Sequence, residues 1–191
     1  MKRFVYILGL VLALAGGLVT ESCSTLRSDS ESGLTKAQKK AQREYEDSIV
    51  AEVARRAVLD SSFIAGADQL TLKRGRTFNV ASNLNYVAVK GNSGVIQLAS
   101  TYGMLGFNGL GGVTLEGTVR DMDVKYDKKG NLTMSMRIVG SGRSGEVVLQ
   151  MAKGSNRAVV QVKGTFSSSS ITMYCTVTSY EPYKIVQGRS L

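Results

Sequence analysis

The stretch Leu132-Thr133-Met134-Ser135-Met136-Arg137-Ile138-Val139 alternates apolar and polar side chains for most of its length. Successive side chains of a strand point to opposite faces. A period of two therefore sets Leu132, Met134, Met136 and Ile138 on one side, with Thr133, Ser135 and Arg137 on the other. The pattern returns twice downstream, as Val147, Leu149, Met151 and as Ala158, Val160, Val162. The joints are short: Asp127-Lys128-Lys129-Gly130-Asn131 before the first stretch and Lys153-Gly154-Ser155-Asn156 between the other two. Parallel neighbours need long crossovers, so joints of this size specify antiparallel hairpins.

Outward from this core the same period predicts strands at Gln69–Lys73, Thr77–Ala81, Asn85–Lys90, Gly94–Ser100 and Val113–Tyr126 upstream. Downstream it predicts Gly145–Met151, Arg157–Lys163, Ser170–Ser179 and Tyr183–Gln187. So many short antiparallel strands must close or double up to hide their edges. The expected fold is mainly β, an antiparallel meander barrel or sandwich over residues 64–191. The 21 glycines and single proline suit its tight turns.

Before residue 64 the period changes. Thr35-Lys36-Ala37-Gln38 is a capping box, a hydroxyl followed three residues later by an amide. It opens one N-terminal amphipathic helix, assigned to 35–63. Ala37, Ala41, Tyr45, Ile49, Val53 and Ala57, with Val50, Ala54 and Val58 alongside, form the stripe expected to pack on the domain, with a partner helix or a membrane surface as the alternative.

The first residues read as a lipoprotein-type signal peptide, 1–22. Lys2-Arg3 is a basic start, and Phe4–Val19 is 16 residues without charge. That is shorter than the roughly 20 residues a membrane-spanning helix needs. Cys23 follows, where a lipid would be attached. Ser22 fits the small residue expected before it, whereas Thr20 and Glu21 depart from the usual aliphatic and small pattern. A cleaved secreted chain and an uncleaved anchor are the alternatives. Residues 23–34 are Ser-rich with mixed charge and read as a flexible tether. The expected address is the cell envelope, with the membrane reached through lipid on Cys23.

Composition closes several chemical routes. With no histidine there is no Ser-His or Cys-His pair and no imidazole metal ligand. With Cys23 lipidated, Cys175 has no partner, and its strand phase with Ile171, Met173 and Val177 predicts a buried inert thiol. No catalytic site, metal or cofactor is assigned. The net charge is +9; without residues 1–22 it is +8, and that surplus lies entirely in residues 65–191, with 15 basic against 7 acidic side chains. A basic face would suit anionic lipid or glycan, or solubility alone. An envelope address argues against nucleic acid.

Three motifs bear on function. Gly103-Met104-Leu105-Gly106-Phe107-Asn108-Gly109-Leu110-Gly111-Gly112 lacks the Lys-hydroxyl pair of a Walker loop, and a strand pattern follows where a dinucleotide loop needs a helix. It reads as a wide glycine turn or a close backbone approach. Gly103, Gly106, Asn108, Gly109, Gly111 and Gly112 are candidates to line the mouth of a ligand site. Met134, Met136, Met151 and Met173 share the inward phase and would either fill the core or soften a cavity for an apolar molecule. Asp121-Met122-Asp123 places Lys125 where a calcium ligand should stand, which excludes an EF-hand loop.

The order of these features resembles a family of uncharacterised Bacteroidetes lipoproteins known only as a domain of unknown function. The resemblance rests on the leader and on four segments: Ala57-Val58-Leu59-Asp60-Ser61-Ser62-Phe63, Ala67-Asp68-Gln69-Leu70, Asn85-Tyr86-Val87-Ala88-Val89, and Asn108 to Gly117. It implies a mostly β envelope domain and supplies no activity or functional residue. The expectation is a non-enzymatic envelope lipoprotein that binds a small apolar or amphiphilic ligand or an envelope protein. The alternative is a carboxylate-dependent hydrolase or transferase using Glu116, Asp121, Asp123 and Glu146, whose spacing gives no reason for two to converge.

Overall fold

The computed structural model describes residues 35–72, 75–99, 112–165 and 170–190. Helix α1 spans Lys36–Leu59. The strands are β1 Ser62–Thr71, β2 Thr77–Asn79, β3 Tyr86–Lys90, β4 Ser93–Leu98, β5 Val113–Tyr126, β6 Leu132–Val139, β7 Ser144–Met151, β8 Arg157–Gly164 and β9 Ile171–Ser179. Every pairing among the described residues is antiparallel.

The sheet closes because β1 pairs with β9 along Phe63–Thr71 while its other edge takes β3 over Ser62–Gly66 and β2 over Gln69–Thr71. The result is an eight-stranded antiparallel barrel of β1 and β3–β9, with β2 as an extra strand. Closure resolves the sequence alternative of barrel or sandwich, and it removes sheet edges that would otherwise template aggregation. One interior belt runs Val124, Met134, Leu149, Val160, Met173 and Leu70 across successive strands in register. The inward side chains of β6–β9 belong to one packed cluster. The inward methionines are part of that packing.

Strand β5 carries a phase switch. Leu115 and Val119 point inward from odd positions, and Met122 and Val124 from even ones. The extra residue falls at a bulge between Arg120 and Asp123, where Asp121 has φ of 53°. One inserted residue flips all later side chains and bends the strand. Beyond Thr118, β5 outruns β4, and α1 approaches there. Ser61 Oγ donates to Met122 Sδ at 3.3 Å, and the Arg55 guanidinium lies 5.4 Å from the Tyr126 ring centre.

The predicted capping box is present. Gln38 N–H donates to Thr35 Oγ1 at 3.3 Å, and Thr35 N–H to Gln38 Oε1 at 2.8 Å. Two expectations for this region are corrected. The helix ends at Leu59, and Ser62 and Phe63 already belong to β1. The predicted strand at Gln69–Lys73 therefore begins seven residues earlier. Phe63, Ile64, Ala65, Gly66 and Ala67 are all buried, so both faces are covered and no alternation marks the strand in sequence. The expected apolar stripe also does not pack as a whole. Ala51, Ala54, Ala57 and Val58 are buried, while Tyr45, Ile49, Val50 and Val53 are exposed. Spacings of four rotate a stripe by about 40° per step at 3.6 residues per turn. By Tyr45 it has turned away from the face that meets the barrel.

A third correction concerns Tyr183–Gln187. No strand forms. Pro182–Lys184 is a single 3-10 turn, and the chain continues as an irregular segment over the outer face of β3 and β4. Tyr180 and Ile185 cover Ile64, Tyr86 and Ala88 in a second, outer apolar cluster.

Candidate functional site

The residues singled out in sequence divide sharply. Cys23 and Gly103, Gly106, Asn108, Gly109 and Gly111 lie outside the described residues. Gly112 is buried, and a Cβ there would collide with the Leu98 carbonyl oxygen. That is the close backbone approach read from the glycine run.

Two of the four candidate carboxylates, Asp121 and Glu146, share one cation, a convergence their spacing gives no reason to expect. Arg137 on the outer face of β6 holds Asp121 at 3.6 Å and Glu146 at 3.7 Å. The bulge carries Asp121 to that place, and β6–β7 pairing sets Glu146 directly opposite Arg137. Asp123 instead pairs with Lys125 at 2.6 Å. Glu116 accepts from Gln187 Nε2 at 2.8 Å, remote in sequence. All four carboxylates are solvent-exposed, where such pairs contribute at most about 1 kcal/mol. Among the described residues no cluster of three or more Cys, Asp or Glu could hold a metal ion.

Cys175 is buried on the inward face of β9, as expected. Burial, with a smaller contribution from Asp68, pushes its thiol from 9.0 up to about 12. The thiolate, not the thiol, attacks alkylating agents. Iodoacetamide at pH 8 is expected to leave the native protein unmodified and to label Cys175 fully in denaturant, read by intact mass. Rapid native labelling would contradict the packing. Burial likewise raises Tyr86 from 10.0 to about 12. Both groups release their protons more readily when unfolded. Their contribution is therefore intact below pH 9 and is lost as pH rises toward about 12.

Among the described residues, two surface concavities bear on function. A cleft of about 670 Å³ lies at the end of the barrel near the β5–β6 and β7–β8 turns. Its walls include Thr133, Gln150, Val159 and Tyr174, one register row across four strands. Arg157 stands at its margin, tied to Asp68 at 2.7 Å. A second groove of about 450 Å³ runs between α1 and the barrel. Ile49, Val53 and Ala57 line the helix side, and Ser62 and Ser179 the strand side. Sequence reasoning named the helix stripe and expected it to pack on the domain, with a partner surface as the alternative. It missed the cleft, because adjacency of Thr133, Gln150, Val159 and Tyr174 exists only through strand register.

A closed eight-stranded antiparallel barrel with a packed interior and one appended helix defines the class: a mainly β barrel domain. Residues 45–177 match the family described as Domain of unknown function (DUF4251), and the chain belongs to that family. It is similar to the crystal structure of a DUF4251 family protein from Bacteroides eggerthii DSM 20697. The identity is 33%, with 71% of this chain and 91% of that one covered and a TM-score of 0.63. No curated protein matches the chain.

Proposed function

We propose that the protein is a non-enzymatic envelope lipoprotein, anchored through Cys23, whose helix docks an envelope protein. The observation that carries the reading is the exposed apolar run on α1. Tyr45 is 67% exposed, Ile49 46% and Val53 50%, and the last two line the groove beside β1 and β9. Large apolar side chains aligned along one helix and left in water suit an apolar partner surface. The helix follows the tether directly, and residues 24–34 reach at most about 40 Å when extended. That reach holds α1 near the membrane and its proteins. The charges of residues 24–64 balance at seven of each sign, which favours a protein partner over an anionic lipid surface. The cleft at Tyr174 and Val159 supports a second reading, a small amphiphilic ligand.

The test is in-cell photocrosslinking from position 52, beside the groove, with labelled fatty acid in the medium. The expected product is a labelled, discrete adduct that disappears in Ile49→Glu and Val53→Glu, while Cys23→Ala loses the label. An adduct indifferent to both charge substitutions, or equal from position 161 on β8, would overturn docking. Label retained in Cys23→Ala would overturn the anchor.

A further inference from the structure

Gln97 is fully buried, yet its side chain stands on the outer face of β4. Its Nε2 donates to the Val186 carbonyl at 2.5 Å and to the Leu84 carbonyl at 3.1 Å. Its Oε1 accepts from Gly188 N–H at 2.7 Å and Thr114 Oγ1 at 3.1 Å, with the Tyr86 hydroxyl at 3.5 Å. Bonding a carbonyl and the N–H two residues later is what one residue of a parallel strand does to its neighbour. The Gln97 amide therefore stands in for a strand, and what it reads is main chain.

Around it the site is built for an extended segment. Asn83 carbonyl accepts from Val186 N–H at 3.0 Å. Glu116 accepts from the Gln187 side chain, and its own N–H donates to Ser190 Oγ at 3.3 Å. Ile185 sits against the patch of Ile64, Tyr86 and Ala88. The occupant is held by hydrogen bonds more than by apolar burial: Val186 is 48% exposed, and Ile185 is the residue of 185–190 that packs on the apolar patch. The segment also lies past residue 177, where the family match ends.

We infer that the outer face of β3, β4 and β5 is a binding site for an extended peptide, filled here by the chain's own residues 185–190 and open to an equivalent segment of a partner protein. The partner segment presents a carbonyl and a free N–H two residues apart. An apolar side chain precedes that carbonyl, and a hydrogen-bond donor between the two faces Glu116. Main-chain reading tolerates many sequences but not proline at the N–H position.

Gly188→Pro in the full chain removes the N–H that Gln97 reads and leaves the site intact. The Val186 amide, bonded to the Asn83 carbonyl, is expected to lose protection from hydrogen exchange. A fluorescent synthetic peptide of residues 181–191 should then bind this variant about tenfold more tightly than it binds the wild type, read by anisotropy. Gln97→Ala added to Gly188→Pro should abolish the gain. Glu116→Ala, at an exposed position that poses no folding risk, should weaken it several-fold if the donor side chain is read. The inference is overturned if the Val186 amide of Gly188→Pro stays protected. It is equally overturned if the released site binds the peptide no better than wild type, or if Glu116→Ala leaves binding unchanged.

Discussion

Phe63→Ala is expected to destabilise the domain by about 3–5 kcal/mol. Phe63 is completely buried at the first turn of chain after the helix, between Val89 on β3 and Ser179 on β9. It belongs to the same cluster as Ala54 and Val58 of α1 and the interior of β6–β9. Its removal opens a void where the helix meets the closing seam of the barrel, a region framed by backbone on both sides and poorly able to collapse. Urea unfolding should show a lower midpoint at unchanged slope, and Tm should fall by on the order of 10 °C for a domain of this size. A loss below about 1 kcal/mol would mean that Phe63 is not at the seam.

Gly117→Ala is the second large effect, about 3 kcal/mol or more. Gly117 pairs with Gly94 where β4 leaves β5, and a Cβ on it would collide with the Val139 carbonyl. Gly140, across that corner, is crowded in turn by the Glu116 carbonyl oxygen. Backbone cannot move aside as a side chain would, so strand pairing itself must shift. Gly142→Ala is the comparison. It has φ of 73° and open space around it, so it should cost only about 1 kcal/mol through backbone strain. Equal losses in the two variants would show that the corner is not closed as described.

What the sequence disclosed follows from what leaves a periodic trace. Leu132–Val139 was read to the residue, because its inner face is buried and its outer face is wet. Phe63–Ala67 was not, because the C-terminal segment buries its outer face and erases the alternation. The phase change at Asp121 hid inside an apparently continuous β5, since a single inserted residue leaves both halves individually periodic. Tyr183–Gln187 has strand composition, but its main chain is met by a side-chain amide rather than a ladder. No local pattern announces that Gln97 and Gly188, 91 residues apart, will meet. The convergence of Asp121 and Glu146 on Arg137 has the same origin, since register and a bulge create it. The stripe on α1 was visible, yet its direction depends on how far the helix extends past the barrel.

The proposed docking role rests on the outside of the barrel. The interior holds the belt from Val124 to Leu70, and Tyr45, Ile49, Val50, Val53 and Leu59 make α1 the one element among the described residues with a run of exposed large apolar side chains. Native mass spectrometry of the chain from residue 24, exported and released gently from the envelope, tests this most directly. The account predicts a mass free of any small-molecule adduct, alone or in a stoichiometric protein complex that Val53→Glu dissociates. A discrete small-molecule adduct unaffected by Val53→Glu would contradict it and assign the domain to ligand binding.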